Sequence, residues 1–286
     1  KERNLHSNAR TLRRVRRMGS KCGRDARALA QSLAVWAKTL EEENEGFAVR
    51  TSEHALNAKY GYGNWRSMLR FGVWQDGEWR CCDNAAASGH NEGSHLRETI
   101  QCVDCGFPAA VAVAFARKGV FDCKLSCDDI NAAYRKVGNG EPGFTVFVVW
   151  NPVEGTHVFF EVPGFNFGLK SAVVGFNRFP EFCVEVTRRI FGVACAHFFD
   201  DYTCIDPSMG DGTSKEALWC LHEALAFPLS IKKSVPLRYA NPFLGVVSDL
   251  APLRRSRKVV RIRVKPERAR KLKTTLREVL DSRSLS

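Results

Sequence analysis

The sequence predicts an α+β fold, because helix-like and strand-like segments follow one another without regular alternation. Two helical patterns come first, at residues 25–43 and 51–59, and short strand-like runs bounded by turn residues follow from Met68 onward. A doubly wound sheet would need strands and helices in strict alternation, which this order lacks. At 286 residues with 44% apolar content, the chain is long enough for one large or two ordinary domains.

The first half of the chain predicts helices on either side of a β-hairpin. The helix at 25–43 has an apolar stripe, which we expect to be its packed face, consisting of Leu29, Leu33, Trp36 and Leu40. The helix at 51–59 is broken by the Gly-rich run "GYGNW". The tetrapeptide "QDGE" predicts a hairpin turn between two short strands. The apolar run from Phe107 predicts a helix that Gly119 closes.

The second half predicts mainly strands, with single helices between them. The run "VFDCKLSCDDI" alternates like a strand and ends in carboxylates, and further strands are predicted at 144–150 and 156–162. A long helical stretch from Ser171 to Ile190 precedes a strand, a turn and a strand around Asp200. Thr213 and Glu216 have the spacing of a capping box, which predicts that a helix begins at this point. The last predicted elements are strands at 241–250 and 258–265 and a basic helix from Pro266.

Positive charge is concentrated at the two ends of the chain, whose formal net charge is +12. Residues 1–24 hold nine Lys and Arg beside a single Glu, and residues 254–277 hold twelve beside a single Glu. Residues 25–253 carry a net charge of −6. Basic ends around a mildly acidic centre suit a protein that holds an acidic site against a polyanion such as nucleic acid. For the N-terminal segment, a solvated basic tail is the alternative.

The cysteines and the apolar runs indicate the cellular setting. Eleven cysteines lie scattered through apolar segments, so we expect reduced thiols in an intracellular protein of the nucleus or cytoplasm. Cys102 and Cys105 have metal-like spacing, but a zinc site there would need thiols from elsewhere in the chain. The longest apolar run, 107–116, has about half the length that a bilayer requires, so we expect no membrane partner. Because the chain begins on Lys1, we expect it to be a piece of a longer protein.

Two pairs of adjacent carboxylates are the strongest chemical signal in the sequence. Asp128 and Asp129 end a predicted strand, and Asp200 and Asp201 lie at a predicted hairpin turn. Adjacent carboxylates repel each other, and Mg²⁺ relieves this repulsion because hard cations prefer oxygen ligands. Two such pairs on neighbouring strands would form a two-metal site for displacement at phosphorus. Asp-Asp is also a common turn dipeptide, so either pair alone is more often structural.

Five blocks in order resemble reverse transcriptases, in particular the polymerases of retroelements such as retrotransposons. Within about residues 70–250 they are "RFGVWQDGEWRCCDNAAASGHNE", "DINAAYRKV", "FNFGLKSAVVGFNRF", "FFDD" and "SIKKSVPLRYANPFLGVVSDL". The resemblance implies a right-hand polymerase fold with fingers, an antiparallel palm sheet packed on helices, and the start of a thumb. It divides the chain into a basic N-terminal extension at 1–60, a fingers and palm domain at 61–250, and a thumb-like or connecting segment at 251–286.

The resemblance also implies the catalytic residues. Asp129 and Asp200 match the principal ligands of two Mg²⁺ ions, with Mn²⁺ as an alternative metal, and Asp201 lies beside them. Asp128 is off register by one position, so it is placed outside the ligand set. Lys233, or its neighbour Lys232, matches a lysine near the leaving pyrophosphate, where it would donate a proton or stabilise charge.

Four further residues match nucleotide-binding positions of the family. Arg80 corresponds to the fingers residue that holds the incoming triphosphate, a role that suits the guanidinium group. Tyr134 falls at the sugar gate, where an aromatic ring would clash with a ribose 2′-hydroxyl, so the implied substrates are dNTPs. Phe167 and Gly168 would form the floor under the nascent base pair. The implied activity is RNA-directed DNA polymerisation onto the 3′-hydroxyl of a primer paired with an RNA or DNA template.

Several departures from the family pattern keep an alternative open. Phe198 replaces the usual Tyr before the Asp pair, "GFN" precedes Phe167 where the family commonly has Leu-Pro, and Pro180 lies inside a predicted helix. The fingers block is also poor in basic residues. The alternative is a catalytically decayed palm-fold protein that acts only as a nucleic-acid-binding module. An RNA-templated RNA polymerase would share the carboxylates but is disfavoured by Tyr134.

Overall fold

Helices and strands follow one another irregularly along the chain, in agreement with the α+β prediction. The computed structural model describes residues 1–75, 77–255 and 259–282. Its helices are α1 (Glu2–Cys22), α2 (Ala26–Asn44), α3 (Glu53–Tyr60), α4 (Phe107–Arg117), α5 (Ala133–Lys136), α6 (Lys170–Arg189), α7 (Thr213–Ala224), α8 (Ala251–Arg254) and α9 (Pro266–Ser282). Its strands are β1 (Val49–Thr51), β2 (Ser67–Gln75), β3 (Glu78–Asp83), β4 (Cys123–Asp129), β5 (Val146–Asn151), β6 (Thr156–Glu161), β7 (Ala194–Phe198), β8 (Asp201–Pro207), β9 (Val235–Arg238), β10 (Ala240–Phe243), β11 (Val246–Asp249) and β12 (Arg261–Val264).

Most of the predicted helices and strands are confirmed, with small shifts at their ends. The strand predicted at 241–250 is instead two strands, β10 and β11, joined by a turn, and residue 258 of the strand predicted at 258–265 lies outside the described residues. The hairpin at "QDGE" is formed by β2 and β3, in which Gln75 pairs with Glu78, and Asp76 lies outside the described residues. Gly119 follows α4 with a φ of 84°, a left-handed conformation that glycine adopts readily. Within the described ranges, no helix combines the length and the apolar character needed to cross a bilayer.

The chain divides into two compact units, the first made of residues 1–99 and 132–176 and the second of the remaining residues. The first unit contains a five-stranded sheet in the order β1-β6-β5-β2-β3, antiparallel except for the β2–β5 pair. The central strand β5 is almost entirely buried because its sequence is a continuous apolar run. Met68, Phe147 and Phe160 pack with α2, whereas Trp65 and Val148 pack with α1 and α3.

Helix α1 is attached to the first unit through polar side chains. Asn4 Nδ2 donates a hydrogen bond to the carbonyl of Gly63 at 2.8 Å, and Asn8 Nδ2 donates to the carbonyl of Trp65 at 3.2 Å. Asn8 Oδ1 also accepts a hydrogen bond from the backbone N–H of Ser67 at 2.8 Å. These bonds satisfy buried backbone groups that water does not reach. The N-terminal basic residues are therefore carried on a docked helix and not on a solvated tail.

The packed face of α2 agrees with the predicted stripe at Trp36, which is buried, and at Leu40, which packs against the same core, but not at Leu29 and Leu33. Leu29 and Leu33 are 38% and 45% exposed. The buried positions of the helix are Ser32, Val35, Trp36 and Thr39. Thr39 tolerates burial because its hydroxyl lies 3.3 Å from the guanidinium of Arg70, which donates to it. A hydrophobic pattern cannot reveal such a face, since half of its residues are polar.

The second unit contains two sheets. The four-stranded sheet is antiparallel in the order β7-β8-β4-β9, and a separate three-stranded sheet has the order β10-β11-β12. Apolar side chains from β4, β8, α4 and α8 form one core cluster around Ala112, Leu125, Ile205, Leu250 and Leu253. This packing holds β4 and β8 side by side over their full length.

Helix α6 continues through Pro180. Proline has no N–H group, so the helix lacks one backbone hydrogen bond there, a loss of about 3 kcal/mol in a helix interior. Phe176, Cys183 and Val184 lie within one or two turns of the proline and are all buried. Burial of these side chains offsets the missing hydrogen bond.

The start of α7 corrects the predicted capping box. Thr213 is the first helical residue, so the cap position belongs to Gly212, and no side chain caps the helix there. Gly212 has a φ of 100° and donates its backbone N–H to Asp206 Oδ2 at 2.9 Å. The turn before the helix is therefore fixed by Asp206, and the spacing of Thr213 and Glu216 misidentified the cap by one residue.

Replacing Asn8 with alanine should lower the free energy of unfolding by about 2–3 kcal/mol, because the carbonyl of Trp65 and the N–H of Ser67 would lose buried partners. Urea denaturation followed by circular dichroism measures this change. Arg13→Ala, on the exposed side of the same helix, is the control and should change stability by no more than about 0.5 kcal/mol. An equally small effect at Asn8 would show that these hydrogen bonds do not hold α1.

Candidate active site

Three carboxylates lie at one end of the four-stranded sheet in the second unit. Asp129 is the last residue of β4 and Asp201 the first of β8, and the two residues are cross-strand partners. Asp200 lies in the turn between β7 and β8, and its carbonyl accepts a hydrogen bond from the N–H of Ile130 at 3.0 Å. Cross-strand partners project their side chains to the same face. Strand pairing thus places the three predicted metal ligands next to one another.

The turn that carries Asp200 is strained. Phe199 has a φ of 52°, a left-handed conformation that a bulky residue rarely adopts. Such a residue costs about 1–3 kcal/mol, and strain of this kind is concentrated at functional sites. Phe198 packs edge-on against Phe199, with ring centroids 4.9 Å apart. Phe198 therefore supports the turn through an aromatic contact.

The carboxylates destabilise one another in their ionised form. Partial burial, followed by the charges of Asp200 and Asp129, raises the pKa of Asp201 to about 6. Burial and the Asp129 charge also raise the pKa of Asp200. A site that disfavours its own negative charges favours the arrival of a cation.

Lys233 is the cation nearest to this cluster. Its ammonium group lies 2.8 Å from Asp129 Oδ1, while its side chain remains 64% exposed. Its charge offsets part of the rise in the pKa values of Asp200 and Asp201. Lys232, the other lysine considered for this position, is exposed. The structure thus places Lys233 against a predicted metal ligand.

Asp128 faces a different set of partners from Asp129. Its Oδ1 accepts hydrogen bonds from Ser234 Oγ at 2.7 Å and from Trp219 Nε1 at 3.0 Å, and it pairs with Lys215 Nζ at 3.2 Å. Sequence reasoning missed these three partners. The only available signal was Lys215 and Trp219 four residues apart on one helix, which a single sequence cannot connect to β4. The bonds hold the end of β4 in place beside the carboxylate cluster.

The donor chemistry of the cluster fits a hard divalent cation, because carboxylate oxygens that repel one another are the ligands that Mg²⁺ prefers. As the side chains stand, no group of three or more His, Cys, Asp or Glu in the described ranges is arranged to hold a metal ion. Among the aspartates, Asp129 Oδ1 is engaged by Lys233. A cation held by that oxygen would compete with the lysine.

The zinc site suggested by the spacing of Cys102 and Cys105 is not formed by the described residues. Both residues are free thiols, as are the other nine cysteines.

The first unit brings together two of the predicted nucleotide-binding residues. The Tyr134 ring stacks on Phe176, with centroids 4.6 Å apart, and contacts Phe167 at 4.9 Å. Phe167 is 47% exposed, so this aromatic cluster reaches the surface. Gly168 has a φ of 100°, and a Cβ atom there would lie 2.5 Å from the carbonyl oxygen of Asp83. Only glycine fits at this position.

A buried ionic network supports this cluster, and sequence reasoning missed it. Asp83 Oδ1 lies 2.8 Å from Arg70 Nε, and Asp83 Oδ2 lies 3.2 Å from Arg135 Nη2. Asn166 Nδ2 donates to Asp83 Oδ2 at 3.0 Å, and Glu42 pairs with both arginines. Burial alone would raise the pKa of Asp83, but the two arginines outweigh burial and hold the pKa below its ordinary value.

The network explains one departure from the family pattern. The "GFN" run supplies Asn166, the residue whose amide donates to the buried carboxylate of Asp83. Arg135 also donates to the carbonyl of Phe165 at 3.2 Å. Both bonds fix the loop that carries Phe167 and Gly168. Because buried charges are rare and must be paired, a sequence pattern of apolar residues gives no signal for them.

The loop that follows β3 also holds the loop of Phe167 and Gly168, at its C-terminal end. Asn91 Nδ2 donates to the carbonyl of Gly168 at 2.9 Å, and Asn91 Oδ1 accepts from the N–H of Lys170 at 2.9 Å. Nearby, His90 Nδ1 lies 2.6 Å from Ser88 Oγ. Burial and the neighbouring charge of Arg66 lower the pKa of His90 to about 4. His90 is therefore neutral in the folded protein at neutral pH.

Arg80 lies on β3 opposite Val73 and near the tip of the hairpin. Its side chain is 50% exposed and forms an ion pair with Glu78 at 3.4 Å. Exposed ion pairs of this kind contribute little energy. Beside it, Trp74 and Trp79 pack edge-on with centroids 5.1 Å apart.

Comparisons with known proteins identify the fold. No family model matches the chain, and no curated protein matches it. Among solved structures, it is similar to a foamy viral protease-reverse transcriptase in complex with double-stranded DNA, with a TM-score of 0.56 at 14% identity, covering 85% of this chain and 44% of that chain. A dRH form of the foamy viral protease-reverse transcriptase, also bound to double-stranded DNA, gives a TM-score of 0.52 at 15% identity, covering 73% of this chain and 32% of that chain.

The chain therefore has a fold similar to that of a reverse transcriptase, which confirms the resemblance at the level of the fold. It spans less than half the length of either of the two matched chains.

Asp83→Asn should lower the free energy of unfolding by about 3–5 kcal/mol, because it leaves two buried arginines without their central counter-charge. Glu78→Gln is the matched control, since it removes an exposed carboxylate and should cost less than about 1 kcal/mol. Urea denaturation measures both variants. If Asp83→Asn does not fold, Asn166→Ala removes one donor only and should cost about 1–2 kcal/mol. No effect in either variant would contradict the proposed support.

The stability of the protein should fall as the pH decreases from about 6.5 to about 4, in part because of His90. Its pKa is lowered on folding, so the unfolded chain takes up a proton first, and the contribution present above pH 6.5 is lost progressively toward pH 4. His90→Gln should reduce the difference in unfolding free energy between pH 7 and pH 5 by on the order of 1 kcal/mol. Urea titrations at the two pH values test this, and an unchanged difference would exclude His90 as a source.

Proposed function

We propose that the chain is an RNA-directed DNA polymerase of a retrotransposon, an intracellular reverse transcriptase that adds dNTPs to the 3′-hydroxyl of a primer. The observation that carries this proposal is the convergence of Asp129, Asp200 and Asp201 at the end of two paired strands, in a chain whose fold is similar to that of reverse transcriptases. Residues 61–250 would form the fingers and palm, and residues 251–286 a thumb-like or connecting segment.

Asp129 and Asp200 would hold Mg²⁺, or Mn²⁺ in its place, with Asp201 beside them. When bound, two such ions stabilise the attacking and leaving oxygens of an in-line displacement at phosphorus. The protein supplies a rigid position for the carboxylates, through the β4–β8 pairing and the strained turn at Phe199. Catalysis would then depend mainly on positioning and on neutralisation of charge.

Lys233 would act as a mobile cation in this mechanism. In the structure its ammonium group lies 2.8 Å from Asp129 Oδ1 and offsets that charge. The same long, exposed side chain could reach a leaving pyrophosphate and act there as a proton donor or as a positive charge. The same lysine would thus stabilise the site before binding and the leaving group after bond cleavage.

The aromatic cluster of the first unit would select the nucleotide. Tyr134, held between Phe176 and Phe167, has little freedom to move away from a 2′-hydroxyl group, so it would favour dNTPs over NTPs. Phe167 and Gly168 would lie under the base pair, where the absence of a side chain at Gly168 permits close approach. Arg80 would bind the triphosphate through its guanidinium group.

A primer–template duplex would bind through the basic segments. The two matched structures contain double-stranded DNA. In this chain β12 exposes Arg261 and Arg263, and α9, which contains no buried residue, carries further Lys and Arg. Such side chains contact phosphates without regard to sequence, as a polymerase requires.

The alternative is a catalytically decayed protein that binds nucleic acid only. The observation that favours it is the ion pair between Lys233 and Asp129, which engages one of the three carboxylates. The two functions differ in one measurable property, which is extension of a primer.

Primer extension on an RNA template with Mg²⁺ tests the proposal. We expect extension with dNTPs and little with NTPs, and a loss to background in Asp200→Asn, which removes a charged metal ligand but keeps the side-chain volume. Asp211→Asn is the matched control, because Asp211 is exposed and its left-handed conformation is one that asparagine tolerates.

Two results would count against the polymerase. Absence of extension with retained binding of the template would favour the decayed module. Equal loss of activity in Asp200→Asn and Asp211→Asn would show that the carboxylate cluster has no special role.

A further inference from the structure

A column of cationic side chains extends along one side of α1. Arg3, Arg10 and Arg17 follow one another at intervals of seven residues, and Arg14 and Lys21 are also seven residues apart. Seven residues make about two helical turns, or about 10.5 Å, with a drift of only about 20° around the axis. The spacing therefore keeps these side chains on one side of the helix. The side that docks the helix, through Asn4, Asn8 and their neighbours, is centred elsewhere on the helix, although Arg10 also contributes by donating to the carbonyl of Ala87.

A cavity of about 690 Å³ opens beside the central part of this column. Arg14, Arg17 and Lys21 line it, all three are exposed, and no Asp or Glu belongs to its described lining. The apolar part of the lining comes from Met18, Leu69 and Phe71. The cavity is thus lined by cationic groups together with apolar side chains and one aromatic ring.

Two smaller cavities extend the column in both directions. One, of about 660 Å³, adjoins Arg3, Arg10 and Arg66 but also includes Glu2 and Glu92. The other, of about 360 Å³, adjoins Arg17, Lys21 and Arg24 and includes Asp25, whose carboxylate caps α2. The central cavity is therefore the place where positive charge is least compensated.

The three cations of the central cavity repel one another. In the part of the chain that the structure describes, no ion pair with a carboxylate involves Arg14, Arg17 or Lys21. Phosphate groups would relieve this repulsion. The neighbouring Phe71 would offer a ring to a base, because bases of any kind stack on aromatic side chains.

We propose that the α1–α2 cavity binds a nucleotide of a single-stranded polynucleotide, with the phosphates on Arg14, Arg17 and Lys21 and the base against Phe71. A strand is favoured over a free nucleotide because the cationic column continues beyond the cavity in both directions. It is favoured over a lipid surface because the apolar side chains line a cavity and do not project from the helix. The choice of nucleic acid as the ligand class rests on the proposed function. The inference adds a binding site for an unpaired strand to that function.

The test compares two variants of the full chain with equal loss of charge. Arg14→Gln/Arg17→Gln/Lys21→Gln removes the cations of the cavity, and Arg13→Gln/Arg16→Gln/Arg27→Gln removes three exposed cations that do not line it. The probe is a fluorescein-labelled oligo(dT) or oligo(U) strand, and fluorescence anisotropy is measured between 50 and 200 mM salt without primer or metal. Urea denaturation confirms that both variants remain folded.

We expect the cavity variant to raise Kd at least tenfold and to flatten the slope of log K against log salt by about 2, since each contact with a single strand contributes about 0.7. The control variant should raise Kd less than threefold. Phe71→Leu should raise Kd about fivefold or more without changing the salt dependence, because it removes stacking and not charge.

Equal losses in the two triple variants would overturn the inference, because they would indicate a general effect of net charge. Full displacement of the strand by dTTP at the same nucleotide concentration would overturn it in favour of a free-nucleotide site. Loss of binding to phosphatidylserine vesicles with unchanged strand binding would overturn it in favour of a membrane. Strand binding is measured without catalysis, so the two proposals can fail separately. Absence of primer extension would contradict only the proposed polymerase. Full extension with no strand binding to the cavity would contradict only this inference.

Discussion

The ion pair between Arg70 and Asp83 is the constraint on which the first unit depends. Both side chains are almost completely removed from water. A buried charge is tolerated only when its partners remain in place, so the pair dictates the positions of Arg135 and Asn166. Tyr134 precedes Arg135 in the chain, and Phe167 follows Asn166. The nucleotide-binding residues that the family resemblance implies are thus positioned by the need to neutralise one carboxylate.

The second unit uses the opposite electrostatic principle. Its three aspartates are held close together by strand register, although their charges repel and their pKa values rise where the shift is resolved. The partners of Asp128, among them Trp219 and Ser234, secure the end of the strand from the other side. One unit neutralises a buried carboxylate completely by internal pairing, whereas the other leaves its aspartates only partly neutralised, by Lys233.

Much of the fold followed from periodicity, and the failures have identifiable causes. Alternating and continuous apolar runs located β4, β5 and β8 because the faces of these strands are apolar. The same method failed on α2, whose buried face includes Ser32 and Thr39, and it gave no sign of how α1 docks through Asn4 and Asn8. Hydrophobic patterns detect burial only where burial is apolar.

The candidate site was predictable to a similar extent. The Asp pairs were visible because adjacent carboxylates at strand ends are unusual, and their meeting follows from pairing of the strands. The network around Asp83 was not visible, because its members come from five separate segments and each is an ordinary polar residue by itself. Asn166 was even counted as a departure from the family pattern. The structural role of Asn166 becomes visible only from its contact with Asp83 in three dimensions.

The contact between Asn166 and Asp83 also restricts how this sequence can change over generations. Leu-Pro at positions 165 and 166 would remove the amide donor of Asn166, and Asp83 Oδ2 would then accept hydrogen bonds from Arg70 and Arg135 alone. Loss of the amide would be costly as a single step and less so together with a change at the carboxylate. Residues in one hydrogen-bond network are energetically coupled in this way. Positions 83 and 166 should therefore covary among relatives of this chain, because a change at one position alters the cost of a change at the other.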